Sequence, residues 1–200
     1  MKPFTVTLLR HGDTPLSGRL IGQRSDPPPT AAAQVQLAAT LAQLHARQPI
    51  TRLAASPLLR CRAPAEAFAA RHNVALTLDA DLAEIDFGDW DAADPLTLPA
   101  DWSARCQDPS SGPPGGERIV DFRGRCARAW ARHCAGLGGQ DGEHLLLLSH
   151  GGVISALLAE AMAMPWPLAR RVAVARGGWL RLSCYPPEPA WLLALEGADA

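Results

Sequence analysis

The chain has 200 residues, which is enough for one domain with a sizeable hydrophobic core and too short for a second full domain. Hydrophobic residues make up 48% of it and charged residues 20%, and the formal net charge of −1 gives no indication of nucleic-acid or membrane-surface binding. The five scattered cysteines include no C-x-x-C pair, which argues against a disulfide framework or a zinc knuckle. No apolar stretch approaches the ~18 residues of a membrane span, so we predict one cytoplasmic domain over residues 1–200.

The first part of the chain is predicted to alternate between strands and helices. Thr30 is a typical N-cap for the alanine-rich helix that follows it. Pro57 is expected near the first position of the next helix, where its missing N–H costs little. In chain order we predict a buried strand at 4–10, a long loop at 13–30, a helix at 31–47, a strand at 50–55, a helix from 56 to about 71 and a strand at 75–78.

Residues 86–118 interrupt this alternation with prolines, glycines and two tryptophans that show no clear periodicity. An insertion of this length in a compact domain is usually a lid or a binding loop. After it we predict a helix at 117–135 with Val120, Cys126, Ala127 and Trp130 facing inward, a strand at 145–148, a helix at 153–162, strands at 172–175 and 179–184, and an edge strand at 191–195.

Strands that alternate with helices indicate an α/β sandwich with a mainly parallel central sheet. Leu145–Leu148 is a run of four leucines bounded by polar residues, which is typical of a strand covered on both faces. In such sheets, ligands bind outside the carboxyl ends of the strands. The residues at those ends are therefore the candidates for function.

Charged and imidazole side chains collect at the predicted strand ends. Strand one runs directly into Arg10 and His11, and the four-leucine strand runs into Ser149 and His150. Arg60 lies one turn into the helix after the second strand, and Glu84 follows the third strand. Two guanidinium forks and two imidazoles suit a tetrahedral dianion such as phosphate better than a carboxylate. The sequence therefore predicts a pocket for a phosphoryl group.

Five motifs that span most of the chain resemble those of the histidine phosphatase superfamily, which includes cofactor-dependent phosphoglycerate mutases and many phosphatases. They occur in the family's order and with roughly its spacing. The motifs are LLRHGDT (8–14), SPLLRCR (56–62), LAEIDFGDW (82–90), PGGE (114–117) and LLSHGGVISALL (147–158). The resemblance implies a phosphoglycerate mutase-like fold, a three-layer α/β/α sandwich.

The same resemblance implies a role for each residue at the strand ends. His11 would be the nucleophile that takes the phosphoryl group, and it must be neutral when it attacks. Arg10, Arg60 and His150 would bind the non-bridging oxygens and spread the charge of the transition state. Glu84 would protonate the leaving alcohol and then accept a proton from the hydrolytic water. Neither a metal ion nor another cofactor is implied, and the partner would be a small-molecule phosphomonoester.

Two further phosphate contacts are implied, and four positions depart from the family pattern. The backbone of Gly151 and the hydroxyl of Ser17 are expected to bind phosphate, although many relatives have Asn at the position of Ser17. Pro64 replaces the family's usual Thr. Asp91-Ala92 replaces the common Glu-Gly after Trp90, which could alter the lid and the preference for a leaving group.

The compact length and the run EIDFGDWD (84–91) resemble α-ribazole-5′-phosphate phosphatases of cobalamin assembly. Similar motifs also occur in broad-specificity and sugar-phosphate histidine phosphatases, so both remain possible, with phosphoglycerate mutase as a third reading. A catalytically silent phosphate-binding scaffold would share the fold. A metallohydrolase would need a ligand cluster such as H-x-H or H-x-x-x-H, and the sequence has none.

Several residues have more than one interpretation. Asp81 and Asp86 compete with Glu84 for the role of acid, and Arg60 could instead pair with Glu66 on its own helix. The edge strand near Trp191 could pair with a second copy of the chain to give a homodimer. The remaining histidines are expected at the surface: His45, His72, His133 and His144.

Overall fold

A computed structural model describes residues 1–197 and is built around one six-stranded sheet. The strands are β1 (Phe4–Arg10), β2 (Arg52–Ala55), β3 (Leu76–Leu78), β4 (His144–Ser149), β5 (Trp179–Tyr185) and β6 (Glu188–Glu196). Their order across the sheet is β3-β2-β4-β1-β5-β6. The pairs from β3 to β1 are parallel and β5 is antiparallel to both neighbours, so the predicted mainly parallel sheet is confirmed.

Helices cover both faces of the sheet, which confirms the predicted three-layer arrangement. They are α1 (Ala31–Arg47), α2 (Leu59–His72), α3 (Trp102–Arg105), α4 (Ile119–Cys134), α5 (Gly151–Ala161) and α6 (Trp166–Ala169), with 3₁₀ turns at Ala80–Leu82, Gly88–Trp90 and Pro95–Thr97. Leucines of α1 and Phe68 of α2 form one buried cluster with Leu9 of β1. Phe122 of α4 and Leu157 of α5 belong to the cluster on the opposite face.

The four-leucine strand β4 lies between β2 and β1, and every one of its residues is buried. Leu146 and Leu148 pack toward α1 and α2, while Leu145 and Leu147 pack toward α4 and α5. The register of β1 with β4 sets Arg10 beside Ser149. The residues that follow each strand, a histidine in both cases, therefore emerge at the same edge of the sheet.

The sequence predicts the start of α1 correctly but not that of α2. The Thr30 side chain accepts a hydrogen bond from the backbone N–H of Ala33 (3.1 Å), so the predicted N-cap of α1 is confirmed. The predicted start of α2 near Pro57 is wrong, because residues 57–58 form a bend and the helix begins at Leu59. The carboxylate of Asp26 accepts the Leu59 N–H (2.7 Å), and this partner is distant in sequence.

Two further predictions about elements are wrong. Residues 172–175 are not a strand but part of the connection from α6 to β5, where the carbonyl of Val174 accepts from Arg10 (2.7 Å). Val120 does not face inward, because the buried face of α4 contains Ile119 and Phe122 instead. The helix starts two residues later than predicted, at Ile119.

Exposed apolar side chains concentrate on β6, whose outer edge has no paired strand within residues 1–197. Trp191 is 73% exposed, and Leu193 and Leu195 are also exposed. The homodimer expected at this edge stays a prediction. Within the same residues, no helix combines the length and the apolar character needed to cross a membrane.

Candidate active site

The edge of the sheet at the carboxyl ends of β1 and β4 brings together the five side chains expected to carry the chemistry. His11 follows β1 and His150 follows β4, and their ring centroids are 5.2 Å apart. Arg60 lies in the first turn of α2, with its guanidinium against His150, and Glu84 reaches the N-terminus of α5. Long-range strand pairing thus assembles residues that lie far apart in the chain.

The imidazole of His11 is held in the tautomer that a nucleophile needs. Its Nδ1 lies 2.7 Å from the carbonyl oxygen of Gly12. Because a carbonyl only accepts, Nδ1 carries the proton and the lone pair is on Nε2. Burial, aided by the charges of Arg60, Arg10 and Arg176, lowers the pKa of His11 to about 3. The ring is therefore neutral at physiological pH.

His150 and Arg60 form a buried pair behind His11, and neither has exposed surface. Arg60 Nε donates to His150 Nδ1 (3.1 Å), so the ring proton is on Nε2 and is donated to Ser56 Oγ (2.8 Å). Burial and the charge of Arg60 hold the pKa of His150 well below its usual value. Both ring nitrogens already have protein partners, so direct phosphate contacts of this pair stay a prediction.

The guanidinium of Arg10 lies against the N-terminus of α5. Its Nη1 donates to the carbonyl of Val174 (2.7 Å), and its buried Nε has no hydrogen-bond partner among the described residues. Burial lowers the pKa of Arg10, and the charge of Glu84 opposes this effect. A Cβ at Gly151 would lie 3.2 Å from Arg10 Cζ, so this glycine makes the close approach possible.

Glu84 is the carboxylate that the structure places in the site. Its Oε2 accepts from the backbone N–H of Gly152 (3.1 Å) and its Oε1 from that of Ile85 (3.1 Å). The N-terminus of a helix such as α5 favours a negative charge at this position. The rival Asp86 binds Arg24 and the N–H of Gly88 instead.

Asp81 and Glu66, which could have competed for these roles, have partners elsewhere. Asp81 pairs with Arg132 (3.0 Å) on the outside of α4. Glu66 contacts Arg62 (3.9 Å), while the guanidinium of Arg60 is directed toward His150. Of these candidate carboxylates, Glu84 is thus the one that lies with Arg10 at this edge of the sheet.

A substitution at Gly152 tests how tightly Glu84 is positioned. A Cβ at Gly152 would lie 2.5 Å from Glu84 Oε1, which is too close for both groups to keep their places. Gly152→Ala is expected to displace the carboxylate and to lower kcat by about 10²-fold, although alanine favours a helix. Phosphate release and the thermal midpoint are measured together.

Gly139→Ala is the matched control, because a Cβ at Gly139 meets nothing within 4 Å. Its kcat should equal that of the wild type. A folded Gly152→Ala variant with wild-type kcat would contradict the assigned position of Glu84.

His144, which was expected at the surface, is wholly buried. Its Nε2 lies 2.8 Å from the hydroxyl of Thr7, and its Nδ1 donates to the carbonyl of Gln48 (3.1 Å). Burial lowers the pKa of His144 to about 4. The histidine is thus a polar element of the core at the amino end of β4, at the opposite end of this strand from His150 and the site.

Three buried neutral histidines make folding sensitive to mild acid: His11, His144 and His150. Each folded-state pKa lies below the ordinary value of 6.5, so below pH 6.5 the unfolded chain binds more protons and stability decreases as the pH falls. At about 1.4 kcal/mol per pH unit for each histidine, the free energy of unfolding should fall by about 4 kcal/mol between pH 7.5 and 5.5. Urea unfolding measures it, and equal stability at both pH values would contradict the three neutral assignments.

Ser17, the other side chain predicted to bind phosphate, is exposed and engaged locally. Its hydroxyl donates to Asp13 Oδ1 (2.7 Å) and accepts from the N–H of Thr14 (3.0 Å). To donate to a phosphoryl group, the Ser17 hydroxyl would have to give up its hydrogen bond to Asp13. The role of Ser17 stays a prediction, and so does that of the Gly151 backbone.

Sequence reasoning missed Arg176, which lies in the connection before β5. Its guanidinium pairs with Asp13 (3.3 Å), and the next residue, Gly177, donates its N–H to the carbonyl of His11 (3.0 Å). The charge of Arg176 is among the causes that lower the pKa of His11. No periodicity or motif marks this arginine in the sequence, because its proximity depends on the pairing of β5 with β1.

Arg125 was also missed. It is buried in α4 and donates to the carbonyls of Asp81, Ala83 and Glu84 at 2.6–2.9 Å. A two-point ion pair with Glu117 of the PGGE motif (2.8 and 2.9 Å) completes its contacts. Arg125 therefore fixes the backbone that carries Glu84. The motif marked Glu117, but nothing local identified its partner.

Arg10 and Glu84 line a cavity of about 300 Å³. Beyond these two residues, its walls are mainly aromatic and aliphatic. The apolar lining includes Leu20, Ile85, Phe87, Trp102, Cys106, Ile119, Phe122, Trp166, Val172 and Val174. In the part of the chain described, Arg170 is the one other charged residue that lines the cavity. Its Cζ lies 5.8 Å from the centroid of the Trp166 ring. A phosphoryl group at the Arg10 end would direct its leaving group into this apolar space.

The site contains side chains of metal-binding types, but within residues 1–197 they do not form a cluster that could hold a metal ion. Cys61 Sγ lies 3.7 Å from His150 Nε2 and donates to the carbonyl of Ser149 (3.4 Å), and burial raises the pKa of its thiol. Across residues 1–197, no group of three or more His, Cys, Asp or Glu side chains could hold a metal ion. Guanidinium groups supply the positive charge here.

Comparison with known proteins gives consistent matches. The family described as "Histidine phosphatase superfamily (branch 1)" matches residues 6–195. The chain is 29% identical over 177 residues to the adenosylcobalamin/alpha-ribazole phosphatase of Salmonella typhimurium, with 86% of each chain covered. It is also 29% identical over 197 residues to the glucosyl-3-phosphoglycerate phosphatase of Mycobacterium tuberculosis, covering 92% of this chain and 86% of the relative.

A solved structure of a mycobacterial glucosyl-3-phosphoglycerate phosphatase in complex with inorganic phosphate superimposes with a TM-score of 0.81. Its sequence identity is 27%, and the match covers 98% of this chain and 97% of that one. Both the sequence matches and the shared fold thus extend over nearly the whole molecule.

Proposed function

The chain belongs to the histidine phosphatase superfamily, and we propose on that basis that it hydrolyses phosphomonoesters through a phosphohistidine on His11, without a metal ion. The observation that carries the proposal is the tautomer of His11. A neutral ring with its Nδ1 proton committed to Gly12 presents a free lone pair on Nε2. Arg10 and Glu84 lie at the same end of the sheet, where phosphoryl transfer needs positive charge and an acid.

In the first step, Nε2 of His11 attacks phosphorus while the bond from phosphorus to the ester oxygen breaks. Arg10 supplies charge to the non-bridging oxygens, with the buried Arg60 behind the two imidazoles. Glu84 acts as the general acid and gives a proton to the leaving alcohol. The products are the free alcohol, phospho-His11 and the carboxylate of Glu84.

In the second step, water enters the space that the alcohol has left. The Glu84 carboxylate accepts a proton from that water as its oxygen attacks phosphorus, and the bond from phosphorus to His11 breaks. Inorganic phosphate leaves, and His11 and protonated Glu84 are restored. The backbone N–H groups of Gly152 and Ile85 keep the carboxylate in place for both steps.

We further propose that the physiological substrate is α-ribazole 5′-phosphate. The cavity beyond Arg10 and Glu84 is lined by aromatic and aliphatic side chains, which suit a flat benzimidazole. A sugar acid brings many hydroxyl groups that lose free energy when buried without partners. This supports an aromatic nucleoside over glucosyl-3-phosphoglycerate, the substrate named for the mycobacterial relatives.

Glucosyl-3-phosphoglycerate remains the second candidate because of Arg170, whose guanidinium lines the cavity and could bind a carboxylate. This guanidinium contacts the ring of Trp166 and donates to the carbonyl of Cys106 (3.4 Å), so it retains donor capacity. The two candidates thus depend on different residues of one cavity.

The test compares phosphate release from α-ribazole 5′-phosphate, glucosyl-3-phosphoglycerate and p-nitrophenyl phosphate in excess EDTA. We expect the highest kcat/KM with α-ribazole 5′-phosphate and no effect of EDTA. Higher kcat/KM with glucosyl-3-phosphoglycerate would overturn the substrate, and loss of activity in EDTA would overturn metal independence. No release from any of the three would favour the silent scaffold.

Two variants test which residues of the cavity contact the leaving group. Trp102→Ala should lower kcat/KM for α-ribazole 5′-phosphate about 10-fold, because a half-buried aromatic wall is lost. Arg170→Gln should leave that substrate nearly unchanged and should affect only a carboxylate-bearing one. Arg171→Gln, at an exposed neighbouring position, is the control for loss of charge.

A further inference from the structure

We propose that Asp91 is a positioning residue, which fixes Arg60 and the ring of His150 through the backbone of residues 22–25. This inference deepens the proposed function. It rests on that function because it takes Arg60 and His150 to bind phosphate. Asp91 lies in the insertion, directly after Trp90 and before Ala92. Its role is visible only in the folded chain.

The carboxylate of Asp91 organises the segment 22–25 by accepting three backbone hydrogen bonds from it. Oδ2 accepts from the N–H groups of Gly22 (3.2 Å) and Arg24 (3.1 Å), and Oδ1 accepts from that of Ser25 (3.2 Å). Three donors converging on one carboxylate give the segment a single arrangement in an otherwise irregular loop. This loop has no helix or strand to fix it.

The carbonyl oxygens of the same segment and of the residue before it hold the guanidinium of Arg60. Nη2 donates to the carbonyls of Ile21 (3.2 Å) and Gly22 (2.9 Å), and Nη1 donates to that of Ser25 (3.4 Å). Nε donates to His150 Nδ1 (3.1 Å), and Nη1 also lies 3.8 Å from Asp26 Oδ1. N–H groups on one side of the loop therefore bind Asp91, and carbonyls on the other side bind Arg60.

Gly22 shows that the approach of Asp91 is close. A Cβ at this position would lie 2.7 Å from Asp91 Oδ2 and 2.6 Å from the carbonyl oxygen of Ile85. Only glycine can occupy the contact point without displacing the carboxylate. The next residue in the insertion, Ala92, has a φ of 61°, a left-handed conformation that costs a non-glycine residue free energy.

Loss of the Asp91 carboxylate leaves three N–H groups of the segment without their acceptor. The loop then gains freedom, and the carbonyls that bind Arg60 no longer have one arrangement. Arg60 has no exposed surface through which water could replace them. His150 is affected as well, because the hydrogen bond from Arg60 to its Nδ1 keeps the ring proton on Nε2.

The test uses Asp91→Ala, Asp91→Glu and Asp94→Ala. Asp94 is the matched control, because its carboxylate also caps a turn in the same insertion, through the N–H of Leu96 (2.9 Å), and this contact stays within its own turn. The readouts are the Kd of inorganic phosphate, kcat/KM for p-nitrophenyl phosphate, the thermal midpoint and the imidazole ¹⁵N resonances of His150 without ligand.

We expect Asp91→Ala to weaken phosphate binding and lower kcat/KM by about 10- to 100-fold, and to shift the His150 resonances as Arg60→Ala does. Asp91→Glu should restore most of the activity. In an Arg60→Ala background, adding Asp91→Ala should change kcat/KM by less than about twofold, because both substitutions remove the same arrangement.

Equal His150 resonances and phosphate affinity in Asp91→Ala and Asp94→Ala would overturn the proposal. The proposal would also be overturned if Asp91→Ala lowered kcat/KM by as much in the Arg60→Ala background as in the wild type. That result would indicate a general structural role for Asp91. An inactive wild type would instead contradict the proposed function, and the ligand-free resonances of His150 would still decide the role of Asp91.

Discussion

Replacing His11 with alanine is expected to lower phosphate release by ~10⁴-fold or more, because the covalent route loses its nucleophile. The side chain is small and makes one hydrogen bond within residues 1–197, to the carbonyl of Gly12. The fold should therefore survive, with circular dichroism and urea unfolding close to those of the wild type at pH 7.5. Phosphate release from p-nitrophenyl phosphate is the measurement.

His72→Ala is the matched control, since it also removes an imidazole. That ring stacks on Phe68 (ring centroids 4.5 Å apart) at the C-terminal end of α2, away from the site. We expect wild-type kcat from it. If a folded His11→Ala variant retained more than a tenth of the wild-type activity, another group would have to be the nucleophile.

The second large effect is expected for Glu84→Gln, which keeps the shape of the side chain but removes its acid and base functions. With an alkyl leaving group such as a ribose 5′-oxygen, kcat/KM should fall by about 10²- to 10⁴-fold. With p-nitrophenyl phosphate, the leaving group needs little protonation, so transfer to His11 should remain fast while hydrolysis of phospho-His11 slows. Rapid mixing should then show a burst of p-nitrophenol equivalent to the active sites.

Asp86→Asn serves as the control for this substitution. Asp86 was the nearest rival in the sequence, and its carboxylate binds Arg24 and the N–H of Gly88. We expect neither a burst nor a leaving-group dependence from Asp86→Asn. The reverse pattern, with a burst in Asp86→Asn and normal turnover in Glu84→Gln, would transfer the acid role to Asp86.

Elements with strong local signals could be predicted from the sequence. The first strand is an apolar run with a glycine after it, and helix α1 has the N-cap Thr30, so both were placed with their observed bounds. Because parallel strands end at one edge of a sheet, the convergence of His11 and His150 also followed from the pattern. The fold class and the location of the site could be predicted because they depend on local patterns, such as apolar runs and helix caps.

Features that depend on distant backbone contacts could not be predicted. Helix α2 starts late because Asp26 caps it from 33 residues away, and the segment around Val174 is not a strand although its composition favours one. Arg125 and Asp91 act on carbonyl and N–H groups of loops whose course no periodicity describes. A sequence pattern shows which side chains are available, whereas backbone partners become known only with the folded structure.

The central claim is that the phosphoryl group passes through His11, and trapping the intermediate tests it most directly. The protein is mixed with p-nitrophenyl phosphate, denatured in alkali during turnover, where a phosphohistidine survives, digested and examined by mass spectrometry. We predict a PO₃H unit on His11, formed faster than kcat, at less than one unit per chain in the wild type and close to one unit per chain in Glu84→Gln. A phosphoryl group on another residue, or rapid phosphate release with no labelled peptide, would contradict it.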